Sequence, residues 1–406
     1  MECETLKLKE VLDYDQPNPF IVTSPIKKEK TNIPVLTANK GFIKGYTDDT
    51  EGIYENVPVI IFDDFTTNLK FVDFPFKVKS SAMKILKLKR TDVSIKYVYY
   101  QMASKQINSS THKRYYISVY QNLDFIFPIN KNKKIDLPKQ KHLVGEIEIQ
   151  FTRLDSAIKS LQTIKKKLEI YRKSILRSSF EGGRFSKEEF QEINLFNFIL
   201  KIPLNWDTGP LSSLGTFGRG KSKHRPRNDP VLFNGKYPFV QTGEISRANG
   251  GKLNNYSKTY NEIGLKQSKL WSKGTLCITI AANIAKTAVL DIDACFPDSV
   301  VGFCSKDKYT TLFVKYYLDF VQQILDNKAS ATAQKNINLN ILTNMIFPTP
   351  DSSVREQVVQ EIEIQFSVID KLEETVNASL LKVETFRKSI LKSAFDGKLV
   401  RYNNND

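Results

Sequence analysis

The chain has 406 residues, 41% of them hydrophobic and 11% aromatic, enough to build folded cores and too much for a disordered chain. Lys and Arg outnumber Asp and Glu 60 to 44, a formal net charge of +16 that favours acidic partners without identifying one. No apolar run is long enough to span a membrane and the first twenty residues lack a signal-like apolar stretch, so a cytoplasmic protein is expected. Cys3, Cys277, Cys295 and Cys304 form no C-x-x-C pair and share no metal-ligand spacing with the histidines, which argues against a structural zinc site.

From the amino end, short β-like runs with Gly, Asn and Pro punctuation dominate, including VPVIIF at 57–62. A basic stretch, KVKSSAMKILKLKR, covers 77–90, and KYVYYQMASKQI at 96–107 reads as a helix. Pro138 opens a much longer helix, in which Ile147, Phe151, Leu154, Ile158, Leu161, Leu168, Tyr171 and Ile175 recur at three- and four-residue steps. Residues 186–200, SKEEFQEINLFNFIL, are expected to be a short helical linker. A second helix follows Ser353-Val-Arg-Glu356, read as a capping box, with the seam Ile362, Phe366, Ile369, Leu372, Val376, Leu380, Val383, Phe386 and Ile390. Gly182 and Gly397 are placed to end the two helices, and Arg172, Lys173, Arg387 and Lys388 suit their carboxyl-terminal dipoles. Each helix is expected to run about 60 Å at ~1.5 Å per residue.

These helices are copies. Residues 146–183 and 361–398 match without a gap at a separation of 215, sharing EIEIQF and RKSIL. The segments before them correspond more loosely: Ile33-Pro-Val-Leu with Tyr237-Pro-Phe-Val, VPVIIF with TLCITI at 275–280, 96–107 with 314–325, and Phe127-Pro128 with Phe347-Pro348. The reading is an α+β tandem repeat with pseudo-twofold symmetry: globule, helix, globule, helix, the two helices pairing as an antiparallel coiled coil. A partner with two spaced, non-identical half-sites fits such a duplication, and double-stranded DNA is one.

Two enzymatic readings fail on local grounds. Gly215-Thr-Phe-Gly-Arg-Gly220-Lys221-Ser222 matches G-x-x-x-x-G-K-S, but no buried strand precedes it and Pro226 and Pro230 forbid the helix a phosphate cradle needs. Asp63-Asp64 reads as a strand-end turn and not as a metal site. A P-loop-like NTPase and a protein adaptor that does not bind DNA remain the alternatives to a DNA reader.

The ordered set of PVLTANKGFIKGY, VIIFDDFTTNLKFVDFPFKVKSSAMKIL, GRGKSKHRPRNDP with YPFVQTGEI, and two helices ending RKSIL-x-x-x-F-x-G resembles the specificity subunit of type I restriction–modification systems. The resemblance covers essentially the whole chain, although Ile202-Pro-Leu-Asn-Trp206 has no counterpart before the first globule. It implies target recognition domains at 1–137 and 206–349, conserved spacer helices at 138–183 and 350–402, a linker at 184–205 and a tail at 403–406. It further implies a chain without catalytic residues that reads a bipartite DNA target and docks two methyltransferase subunits, which restriction (motor) subunits join. S-adenosylmethionine, ATP and Mg²⁺ would then belong to the partners. Candidate DNA contacts in the first globule are Thr37, Asn39, Lys40, Lys44, Lys113 and Arg114. In the second they are Arg219, Lys221, Ser222, Lys223, His224, Arg225 and Arg227, then Gln241, Thr242, Arg247, Asn249, Lys286, Gln334, Lys335 and Asn336. Lys and Arg suit phosphates, and Arg, Asn and Gln can pair bidentately with purines.

Overall fold

The computed structural model describes residues 2–29, 33–37, 41–105, 107, 114–181, 189–196, 198–281, 284–330 and 339–399. The chain divides into two units, one made of Met1–Gln162 with Asn377–Asp406 and the other of Thr163–Val376. Each unit contains one globule and part of each long helix.

In the first unit a four-stranded antiparallel sheet runs in the order Leu12–Asp15, Met83–Leu88, Val59–Asp63, Leu69–Val72. Val59–Asp63 is buried along its whole length, as a central strand covered on both faces must be. One face, through Ile60, Phe62 and Leu86, meets the helix Ile95–Ser104; the other, through Val59, Ile61 and Ile85, meets Tyr54, Phe76 and Val78. A smaller sheet places Ile33–Leu36 between antiparallel Ile43–Thr47 and parallel Lys77–Val78. Cys3–Lys7 pairs antiparallel with Asp124–Pro128.

The second unit repeats this frame. Leu276–Thr279 takes the central place, between Val300–Cys304 and Thr287–Leu290, with Thr216–Arg219 beyond one neighbour and Lys252–Leu253 beyond the other. Phe233–Phe239 lies between antiparallel Lys258–Tyr260 and parallel Ala294–Cys295, and Leu270–Trp271 extends that sheet. Asp207–Pro210 pairs with Ile346–Thr349. The helix Lys308–Ser330 corresponds to Ile95–Ser104, so the loose correspondences in sequence are correspondences of strand and helix.

The first long helix spans Leu137–Phe180, with the Asp136 carboxylate accepting from the Lys139 N–H at its start (3.0 Å). The second spans Ser352–Leu381 and resumes as Val383–Phe395 after a break at Lys382. It opens before Ser353, with the Arg355 N–H donating to the Asp351 carbonyl, so Ser353 lies inside the first turn and does not cap it. Gly397 takes φ +72 just past the end, the left-handed residue that closes a helix. Gly182 lies outside the described residues.

Within each unit the helices run antiparallel. In the second unit the buried line Ile362, Ile369, Val376 keeps a strict seven-residue step, with Phe366 half-buried between. The next seam position is Glu373 and not Leu372, which is 48% exposed; the apolar residue was expected there, and the acid one position on takes the place. Tyr171 and Phe386 are also exposed, and their neighbours Arg172 and Arg387 turn inward. Ile147 and Ile175 are buried, while Phe151, Leu154, Ile158, Leu161 and Ile390 are half-buried, as a two-helix seam leaves them.

The linker is not helical. Phe190–Leu195 and Phe198–Pro203 form an antiparallel hairpin. Alternation decides it: Ile193, Leu195, Leu200 and Ile202 point into the second unit's core beside Trp206 and Phe180, while Phe190 and Ile199 face outward.

Candidate nucleic-acid interface

Residues 219–227 emerge from the end of the strand Thr216–Arg219 and form an ordered loop held from beneath. The Gln267 side-chain carbonyl accepts from the Lys223 and His224 N–H groups (2.7 and 3.1 Å), and the Ser268 hydroxyl donates to the Lys221 carbonyl (2.8 Å). Four of the loop's basic side chains are turned to holding it. Arg219 donates to the Asp298 carbonyl (2.9 Å) and Arg227 pairs with the Asp298 carboxylate (2.8 Å). Arg225 reaches the carbonyls of Ser222 and His224, and His224 hydrogen-bonds Asp229 (2.8 Å). The His224 contact, with the Val231 N–H next, holds the Asp229 carboxyl below its usual range. Lys221 and Lys223 are exposed and make no ion pair with a described residue. Arg219 and Arg225 donate to neutral carbonyls, so they too keep their charge, whereas Arg227 and His224 face carboxylates. Ser222 was expected at the interface, but it is only 5% exposed and sits in the loop's base.

The helix Thr242–Ala248 carries the next candidates. Gln241 precedes it in a capping box with Glu244, and Asn249 ends it at φ +45. Glu244 is buried, accepts from the Ser257 hydroxyl (2.7 Å) and lies 3.4 Å from Arg247. Arg247 and Asn249 are exposed, whereas Gln241 and Thr242 are half-buried. Lys286 is half-buried and donates to Gln322 (3.3 Å). This helix rests on the strands Lys252–Leu253, Leu276–Thr279 and Thr287–Leu290, while the basic loop rests on Gln267, Ser268 and Asp298.

In the first globule Thr37 is half-buried, its N–H donating to the Phe42 carbonyl (2.8 Å), and Lys44 is exposed on the strand Ile43–Thr47. Arg114 is exposed just before the helix Tyr115–Ser118, whose Tyr115 and Tyr116 N–H groups donate to Asp64 (3.0 and 2.9 Å). Asp63 accepts from the Phe65 and Thr66 N–H groups, so the acidic pair is a turn device. Asn39, Lys40, Lys113, Gln334, Lys335 and Asn336 lie outside the described residues. Sequence reasoning missed Gln267 and Asp298, which touch the loop from 40 and more positions away and carry no local signal. Pro226 in the loop and Pro230 just after it leave no room for a phosphate-cradling helix after Ser222. Among the described residues no group of three or more His, Cys, Asp or Glu could hold a metal ion.

The fold has counterparts among known proteins. The family model for the type I restriction modification DNA specificity domain matches residues 203–382. The chain is 27% identical over 395 residues to the EcoR124I/EcoR124II specificity subunit of Escherichia coli, covering 93% of this chain and 88% of that one. It is 26% identical over 286 residues to the EcoBI specificity subunit of Escherichia coli, covering 65% of this chain and 57% of that one. Among solved structures it shares its fold with the HsdS subunit from Thermoanaerobacter tengcongensis, at a TM-score of 0.56 and 14% identity over 98% of this chain and 97% of that one. A chain from the structural work on complex assembly and conformational transition of the type I R-M system gives a TM-score of 0.69 at 15% identity, covering 98% of each. Residues 203–382 thus carry a type I restriction modification DNA specificity domain, and the chain is similar over most of its length to type I specificity subunits.

Proposed function

We propose that each globule reads one half of a bipartite double-stranded DNA target and that the long helices set the gap between halves. The observation that carries this is one frame built twice with unlike loops on it. The strand Thr216–Arg219 leads into a basic loop, and its counterpart Leu12–Asp15 leads into Gln16-Pro17-Asn18. Two readers of different sequences need that combination: equal placement, unequal surface chemistry.

The chain itself carries no catalytic group in this reading. S-adenosylmethionine, ATP and Mg²⁺ belong to partner subunits, in a complex that works in the cytoplasm. The helices offer two equivalent docking places for methyltransferase subunits. Exposed Ile149 and Phe386 mark the first unit, and Ile364 and Tyr171, each 215 positions from its counterpart, mark the second. Two copies of one partner fit two copies of one surface, and restriction (motor) subunits add to that core. The test is methylation sequencing of host DNA with and without this gene, followed by exchange of residues 207–348 for those of a relative. A bipartite modified motif that changes in one half only is the expected result; no gene-dependent motif, or a change in both halves, overturns the reading.

A further inference from the structure

Both units contain the same side-chain node, and in each the arginine comes from the long helix that does not directly follow that unit's globule. In the first unit the Arg387 guanidinium lies over the Phe151 ring, 5.0 Å from its centroid, and pairs with Asp155. Phe151 in turn meets Tyr100, on the globule's helix, edge-on at 5.7 Å. In the second unit Arg172 lies over Phe366 at 4.8 Å, pairs with Asp370 and reaches Glu373 at 3.4 Å, and Phe366 meets Tyr316 edge-on at 5.7 Å. Arg172 and Arg387, Phe151 and Phe366, and Asp155 and Asp370 are each 215 positions apart.

Beyond the node the link continues into each globule. Gln101 donates to the Ile126 carbonyl (2.6 Å) and accepts from its N–H (3.0 Å), tying the globule's helix to the strand Asp124–Pro128. Tyr317 does the same work toward the Ile346 carbonyl (3.1 Å). Lys96 of the first globule, stacked on Phe71, also pairs with Glu148 of the long helix (2.7 Å). The ion pairs themselves are half-exposed and contribute little stability. A planar guanidinium held by a carboxylate does fix the ring beneath it, and that ring fixes the globule's helix.

We propose that Arg387 and Arg172 are positioning residues for DNA recognition, each setting the seat of one reading globule on the helix pair, so that the second helix tunes the first globule and the first helix tunes the second. This rests on the bipartite reading above. Lysine keeps the charge at each position and loses the flat stack.

The experiment uses the full chain assembled with its methyltransferase subunits. Methylation rates are measured on the cognate duplex and on duplexes with one substituted base in either half, the halves being assigned by the 207–348 exchange. R387K is expected to lower discrimination about tenfold, the scale of one base contact, in the first globule's half alone. R172K is expected to do so in the second globule's half alone. Phe151→Leu and Phe366→Leu, which remove the ring and keep an apolar side chain, are expected to reproduce the respective pattern. Variants that melt lower yet discriminate like the parent, or that relax both halves alike, overturn the proposal. A parent complex that methylates no bipartite site defeats the underlying reading instead.

Discussion

The second unit is one unbroken stretch, Thr163–Val376, whereas the first closes only when Asn377–Asp406 returns to join Met1–Gln162. The second unit also holds more. Its core takes in the hairpin residues Ile193, Leu195, Leu200 and Ile202, and Phe180 is fully buried against Phe313, Tyr317 and Phe320. Its counterpart Phe395 is half-buried, with Tyr97 as its aromatic neighbour. Closely similar helix ends, RKSILRSSF and RKSILKSAF, therefore do unequal work: the matching phenylalanine closes a core in one place and lies against one in the other.

Substitutions can break or sharpen that contrast. The largest effect is expected at the second unit's seam, where Ile369 is 1% exposed. Ile369→Asp should cost about 4 kcal/mol or more, because it buries an unpaired charge, and Leu372→Asp should stay within ~0.5 kcal/mol. Thermal and denaturant unfolding of the two variants checks this; equal losses would mean that Leu372 is a seam residue after all. Phe180→Ala should cost about 3–5 kcal/mol and Phe395→Ala clearly less, read by hydrogen exchange in each unit.

The loops give smaller effects and a sharper distinction. Lys221→Ala with Lys223→Ala should flatten the log–log salt dependence of DNA binding by about 0.9 for each phosphate no longer neutralised. Arg219→Ala with Arg227→Ala should disturb the loop's seat on Asp298 and relax specificity more than it changes the slope. Titrating affinity against salt on cognate and single-mismatch duplexes separates the two outcomes. In the first globule Lys77, 2% exposed on its side chain, pairs with Asp49 at 2.8 Å and is the main influence holding that carboxyl below its usual range. A depressed carboxyl contributes stability above its unfolded value, near pH 4, and loses it as pH falls through the lower folded value. Asp49→Asn should therefore weaken the first unit at pH 7 and narrow its difference from the parent as the pH is taken down through that window.

The repeat was legible because burial repeats. Strands such as 57–62 and 275–280 share an apolar pattern, and the helices share residues outright. The seam was legible to within one position. Apolar Tyr171, Leu372 and Phe386 competed with Arg172, Glu373 and Arg387 for adjacent helix positions, and hydrophobicity favours the wrong member of each pair when the right one is a charged residue paired across helices. The linker misled for a related reason: Phe190, Ile193 and Leu200 suggest a helical spacing, and the period of two appears only once Phe196, at φ +53, is seen to turn the chain. The seat of the basic loop was beyond reach, since Gln267 and Asp298 meet it only after the sheets have formed.

The split first unit also has a consequence for how the protein is made. Its globule leaves the ribosome first, but Leu391, Ala394 and Phe395, which pack on its core, are translated after the whole second unit. At ~5–20 residues per second, the early globule waits roughly ten to forty seconds with that face uncovered. The second unit needs nothing synthesised after Val376. Released chains truncated at residue 382 should then show a protease-resistant second unit and a first unit still open to cleavage.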